Sequence, residues 1–266
     1  MAAKPLAGLS VLVTRPAHQA DALVAAIEDA GGEAYRFPVF DVIPRAIDEL
    51  GDELDAARNA DVLIFVSANA VQHGLAALGE TDATVAAIGP ATAAALESAG
   101  RRVDIRPAGG FNSEHLLMEP ALNDVSDKSI VIVRGETGRE LLAETLRHRG
   151  ATVSYLSAYA TRPHEFSSED IAALDDALAA DRIGAVTIMS VATFEHLAEI
   201  LPAESLDRLA GQRLVAPGGR VIQTLAERLP GARCVEAPGP GAEAMVGALI
   251  ASLEDDPGQD EHPYDG

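Results

Sequence analysis

The chain has 266 residues, 48% of them hydrophobic by type, which allows one large domain or two modest ones with a sizeable core and excludes wholesale disorder. Asp and Glu number 41 against 20 Lys and Arg, a formal net charge of −21, so the surface repels nucleic acid, whose binding depends on neutralised phosphates. A single cysteine, Cys234, excludes an internal disulfide framework and a cysteine-rich metal site.

The first apolar run, Val11-Leu12-Val13, reads as a strand and ends in Thr14-Arg15-Pro16. Ala22, Leu23, Ala26 and Ile27 then carry the stripe of an amphipathic helix, closed by Gly31-Gly32. Glu33 to Arg45 holds Tyr35, Phe37, Phe40 and Val42, with Pro38 and Pro44 opposing a helix, and reads as extended. A second strand, Val62 to Val66, ends in Ser67-Ala68-Asn69, and a third, Val85 to Ile88, ends in Gly89-Pro90. The longest uncharged run, Ala83 to Leu96, covers fourteen residues, short of the roughly 18 of a membrane span.

Ile130 to Val133 leads to Arg134-Gly135, followed by a helical stripe of Leu141, Leu142, Thr145 and Leu146 that Gly150 closes. Val153 to His164, with Tyr155 and Tyr159, matches the earlier extended segment, and the two segments are expected to pair as a two-stranded bridge. Val186 to Met189 leads to Ser190-Val191 and a helix through Phe194, Leu197, Ala198 and Leu201. Leu214 to Ala216 leads to Pro217-Gly218-Gly219, Cys234 falls in an expected edge strand, and Glu254 to Gly266 reads as a solvated acidic tail.

Short strands alternating with helices define βαβ units and parallel sheets. Arg15 matches Arg134, Ser67 matches Ser190 and Pro90 matches Pro217 at offsets of 119, 123 and 127 residues, which reads as a duplicated domain. In such sheets ligands bind where strands end and helices begin, since backbone N–H groups converge there. Arg15 and Arg134 are candidates to hold carboxylates by two-pronged hydrogen bonds, and Ser67, Asn69, Thr92 and Ser190 are small polar groups at helix starts. Helix capping and local ion pairs explain the same residues singly; convergence of several such termini favours an anionic ligand.

No dinucleotide or P-loop glycine pattern is present, the seven histidines (His148 and His196 read as surface groups on helices) show no metal-ligand spacing, and no Ser-His-Asp set follows from spacing, so neither cofactor nor metal is expected. Only Lys4 and Lys128 are lysines, and with the acidic excess this suggests a surface built for concentrated salt, where self-repulsion is screened. The N-terminal run does not resemble an export signal, so a cytoplasmic location is expected.

From about residue 9 to 252 the chain resembles the uroporphyrinogen-III synthase family. The resemblance rests on Val13-Thr14-Arg15-Pro16, Ser67-Ala68-Asn69-Ala70-Val71, Ile88-Gly89-Pro90-Ala91-Thr92-Ala93, Asn112-Ser113-Glu114-His115-Leu116-Leu117, Val133-Arg134-Gly135, Gly138-Arg139-Glu140-Leu141-Leu142, and Tyr159 ahead of Arg162. It implies two flavodoxin-like parallel-sheet domains joined by a two-stranded β-ladder hinge. The boundaries expected are 1–36 with 164–253 for one domain, 46–152 for the other, 37–45 and 153–163 for the ladder, and 254–266 for a disordered tail.

The resemblance further implies a cofactor-free lyase that closes hydroxymethylbilane to uroporphyrinogen III in the cleft between domains, losing water and inverting ring D. Tyr159 is the implied catalytic group. Arg15, Ser67, Asn69, Ala70, Gly89, Thr92, Ser113, Arg134, Gly135, Ser190, Val191, Gly218 and Gly219 are the implied substrate contacts. Ala216-Pro217-Gly218-Gly219 departs from the family's Gly-Pro-Thr-Thr pattern, replacing a threonine hydroxyl by exposed backbone. A monomer in transient contact with hydroxymethylbilane synthase is expected. The rival reading is a hinged two-domain binding protein for a small anion, without turnover.

Overall fold

The computed structural model describes residues 4–110 and 112–255. Its strands are β1 (Ser10–Val13), β2 (Glu33–Arg36), β3 (Phe40–Pro44), β4 (Val62–Phe65), β5 (Thr84–Ala87), β6 (Ser129–Gly135), β7 (Thr152–Pro163), β8 (Ala185–Thr187), β9 (Arg213–Pro217) and β10 (Arg233–Ala237). The helices are α1 (Ala17–Asp29), α2 (Gly51–Arg58), α3 (Ala68–Ala70), α4 (Ala76–Leu78), α5 (Pro90–Ser98), α6 (Ser113–Leu116), α7 (Leu141–His148), α8 (Ser168–Ala179), α9 (Val191–Ile200), α10 (Ala203–Ala210), α11 (Gly219–Arg228) and α12 (Ala242–Glu254). A π-helical turn, Val71–Leu75, joins α3 to α4. Apart from Glu254 and Asp255, the expected acidic tail lies outside the described residues.

Two compact units result: residues up to Asp41 with those from Pro163 onward, and Val42–Arg162. The first holds a sheet in the order β10-β9-β8-β1-β2, parallel throughout. In chain order this is the 2-1-3-4-5 arrangement of a doubly wound sheet. Both faces are covered: Leu12, Val186 and Leu214 belong to one apolar cluster, while their neighbours Val11, Val13, Ala185 and Val215 belong to another. That alternation is the two-residue period of a strand. The second sheet runs β3-β7-β6-β4-β5, with β4, β5, β6 and β7 paired in parallel. Leu63 and Phe65 face one cluster, Val62 and Ile64 the other.

The sequence repeat and the compact units are cut differently. Replacing β1, β2, β8 and β9 by β6, β7, β4 and β5 turns the first sheet's order into the second's, and a parallel bridge from Ala86 to Ile105 occupies the place of β10. Arg15 and Arg134 therefore sit at equivalent strand ends, as do Ser67 and Ser190, but in opposite units. Each unit is built from the first half of one repeat and the second half of the other.

Three expectations need correction. The segment Glu33 to Arg45 is two strands: β2 pairs with β1, and only β3 lies beside β7. Residues from Thr152 to Tyr159, expected mostly as linker, are paired with β6 and belong to the second sheet. In α1, Ala22 is exposed, and Ala20, Leu23, Val24 and Ile27 form the buried stripe.

Candidate functional site

The C-terminal ends of parallel strands share one edge of each sheet, so the site residues fall into two groups, one per unit. In the second unit β4 ends at Phe65 and the chain turns into α3 at Ser67, whose hydroxyl caps the helix by accepting the Ala70 N–H at 3.0 Å. The same hydroxyl lies 3.1 Å from the Tyr159 phenol. Two residues 92 apart, each singled out in the sequence, are thus in direct contact. Ser67 Oγ accepts from Ala70, and with a second lone pair and its own proton it can either accept from or donate to the Tyr159 phenol.

Tyr159 borders a cavity of about 180 Å³ lined also by Ile88, Ser113, Arg134, Gly135 and Thr137. At roughly 30 Å³ per water this is space for about six waters, enough for one substituent of a large substrate. The Tyr159 ring lies over Gly135, where a Cβ would come within 2.9 Å of Cε2 and 3.0 Å of Cζ. His73, from the π-helical turn, packs at a tilt against the phenol, with ring centroids 5.8 Å apart.

Gly135, expected as a substrate contact, is buried and makes room for the ring. Ala70 is 0% exposed and its N–H is taken by Ser67, so it has nothing to offer a ligand. Thr92 is buried within the first turn of α5, 3% exposed. Gly89 is the extended residue that starts α5, and Asn69 lies in α3, half-buried. Ser113 opens α6 and lines the cavity, with Asn112 capping that helix through the His115 N–H.

Arg134 does not offer an open fork. Its Nη1 donates to Glu140 at 2.9 Å, its Nε and Nη2 donate to the carbonyls of Gly135 and Gly138, and its guanidinium lies 4.6 Å above the Tyr155 ring. The local ion pair has won over the two-pronged substrate contact. Tyr155 OH also donates to Glu140, and this bond, followed by Arg134, lowers the Glu140 pKa below the ordinary carboxylate range. Burial, aided by Glu140, raises the Tyr155 phenol.

In the first unit, Thr14 donates to the Thr187 carbonyl at 2.5 Å and Thr187 donates to the Leu12 carbonyl at 3.2 Å, tying β1 to β8. Arg15 follows, half-buried; it donates to the Pro240 carbonyl and has no carboxylate partner among the described residues. Burial lowers its pKa from the ordinary arginine value. Ser190 caps α9 by accepting the Thr193 N–H at 3.0 Å, and Val191 opens that helix. Gly218 precedes α11 at φ +91°, a left-handed conformation that glycine alone adopts without strain, and Gly219 beside it is exposed. His196, expected on the surface, instead stacks on Phe40 with centroids 5.1 Å apart.

Sequence reasoning missed Glu140, His73, and the pair Arg45 and Glu53 beneath β7. Glu140 is six residues from Arg134, outside helical pair spacing, and the others approach from distant segments. Among the described residues no group of three or more His, Cys, Asp or Glu gathers as a metal site would require, and no helix is long and apolar enough to cross a membrane.

Doubly wound sheets with capped helix starts and hydrogen-bonding side chains at the strand ends define a two-unit α/β protein suited to binding a ligand at those ends. A family model described as "Uroporphyrinogen-III synthase HemD" matches residues 21–247. The chain belongs to the uroporphyrinogen-III synthase family. It is 34% identical over 158 residues to uroporphyrinogen-III synthase of Escherichia coli K12, covering 57% of this chain and 64% of that relative's length. A putative uroporphyrinogen-III synthase of Methanothermobacter thermautotrophicus is 28% identical over 253 residues, 92% of this chain and 98% of that one. Among solved structures, a mutant uroporphyrinogen III synthase from the extremely thermophilic bacterium Thermus thermophilus shares the fold at a TM-score of 0.63 and 22% identity, covering 93% of this chain and 99% of that one.

Proposed function

We propose that the chain closes hydroxymethylbilane to uroporphyrinogen III, with loss of water and inversion of ring D, and without a cofactor. The observation that carries this reading is the Ser67–Tyr159 contact at the rim of the cavity. With the phenol accepting from Ser67, the phenolic proton goes to the hydroxyl of the terminal hydroxymethyl group, which leaves as water. The remaining azafulvene cation is attacked by the substituted carbon of ring D, giving a spiro intermediate that reopens and closes at the inverted position. The ring proton lost at final aromatisation returns the phenol to its starting state. Holding the reacting ends together contributes up to roughly 7–11 kcal/mol, so a site with few acid–base groups is sufficient.

Arg15 supports the reading from the first unit: a guanidinium without a carboxylate partner among the described residues suits the acetate and propionate groups of the substrate. Ser190, Val191, Gly218 and Gly219 supply helix-start N–H groups for the same purpose. On this reading β3 and β7 act as a hinge, because both chain crossings between the compact units, Asp41–Val42 and Arg162–Pro163, fall within or at the end of these neighbouring strands. The protein then works as a cytoplasmic monomer that receives its unstable substrate from hydroxymethylbilane synthase. Purified protein incubated with fresh hydroxymethylbilane, followed by oxidation and separation of isomers, tests the activity. Uroporphyrin III in excess over isomer I is the expected result; isomer I alone from folded protein refutes it and leaves binding of an anion without turnover.

A further inference from the structure

Strand β7 carries an irregularity where it passes the cavity. Arg134 faces Ser157 and Gly135 faces Tyr159, so Ala158 is an extra residue on the β7 side. The consequence shows in the packing. Val153 and Tyr155 belong with the cluster on one face of the sheet, Leu156 and Ala158 with the cluster on the other. Strict alternation would return Tyr159 to the first face, yet it packs with Leu156 and Ala158. The bulge is what turns the phenol toward Ser67.

A bulge breaks the ladder, and its buried backbone groups need other partners. Two residues from outside the strand provide them. Glu53, on α2, accepts the Ser157 N–H at 2.7 Å through Oε2 and binds Arg45 Nη1 at 2.9 Å through Oε1. Arg45 donates from Nη1 to the Ser157 carbonyl at 3.1 Å and from its backbone N–H to the Ala158 carbonyl at 3.0 Å. Arg45 is itself fixed by the Glu49 carbonyl at 3.1 Å. Both backbone polar groups of Ser157 and the carbonyl of Ala158 are thus gripped immediately before the tyrosine.

We infer that Glu53 and Arg45 are positioning residues for Tyr159, clamping the β7 bulge in the register that sets the phenol against Ser67 at the cavity. The inference rests on the reading of Tyr159 as the proton donor to the departing hydroxyl. Neither residue borders the cavity, so their removal acts on turnover through the tyrosine and leaves substrate binding in place. Misplacement of a reacting group by up to 1 Å costs on the order of 10²-fold. E53A is therefore expected to lower kcat by about 10- to 100-fold, with KM changed by less than about twofold.

The test is a double-mutant cycle of E53A and Y159F, with kcat expressed per folded protein at a temperature well below the melting point of each variant. Y159F is expected to slow turnover, and E53A to slow it in the wild-type background but not further in Y159F. E53Q, which keeps one acceptor oxygen, is expected to recover part of the loss and serves in the cycle if E53A fails to fold. A slow Y159F beside a wild-type E53A overturns the clamp and leaves the tyrosine's role standing. Equal losses from E53A in both backgrounds also overturn it, since the clamp would then act by another route. Wild-type turnover by Y159F overturns the tyrosine's role and the clamp's bearing on catalysis together.

Discussion

Gly135→Ala places a methyl group where none fits. The added Cβ would lie 2.9 Å from Tyr159 Cε2 and 3.0 Å from Cζ, whereas carbon contacts settle near 3.5–4.0 Å. The ring must therefore retreat by about 0.5–1 Å. The Ser67 Oγ–Tyr159 OH distance is already 3.1 Å, so a shift of that size away from Ser67 takes it beyond hydrogen-bond range. Overpacking of this kind costs about 1–3 kcal/mol, and the reduced freedom of the unfolded chain returns about 0.4–1 kcal/mol, for a net loss of about 1–2 kcal/mol. Urea unfolding of G135A measures it, with turnover recorded on the same samples. The control is G135A in a Y159A background, where the methyl group finds empty space and the substitution is expected to be neutral or slightly stabilising. Equal destabilisation in both backgrounds, or none in the wild type, would falsify the steric account.

Three further outcomes follow from the structure. Ser167→Ala removes one arm of a capping box in which Ser167 accepts the Asp170 N–H and Asp170 accepts the Ser167 N–H; unfolding should show a loss of about 1 kcal/mol with turnover unchanged. The Glu140 carboxyl has a folded pKa below its unfolded value, chiefly through Tyr155 and then Arg134. Its stabilisation is present above the unfolded pKa of about 4.3 and is lost as pH falls through the lower folded value, so below about pH 4 the urea midpoint of E140Q should fall less steeply than that of the wild type. Raising salt from 0.1 to 1 M shortens the Debye length from about 10 to 3 Å, and should raise kcat/KM for a polyanionic substrate meeting a chain of net charge −21; a fall over that range would contradict the electrostatic account.

Strands buried on both faces and helix starts marked by Ser67 and Ser190 were legible because their signals are local: a run of apolar residues, then a capping side chain. The contact between Ser67 and Tyr159 was half legible, since both residues stood out but nothing in their spacing brought them together. Arg134 illustrates the opposite case. Its position at a strand end suggested an anion, yet Glu140 and two carbonyls occupy it, and only folded geometry decides between them. The clamp left no mark in the sequence. Glu53 and Arg45 reach backbone groups 104 and 112 residues away, and a bulge exists only relative to the strand beside it.

The way the two repeats share their halves governs how the chain can assemble. The Val42–Arg162 unit is continuous, whereas in the other unit Val11 pairs with Ala185, on the far side of the whole intervening unit. During synthesis at about 5–20 residues per second, β1, β2 and α1 emerge first and wait roughly 7–30 s for β8. In that interval β1 has β2 and α1 as neighbours but lacks β8, and Leu12 lacks Val186 and Leu214, which later share its cluster. A released chain truncated near residue 175 should thus protect its central unit from protease while its N-terminal segment up to Asp41 remains cleavable.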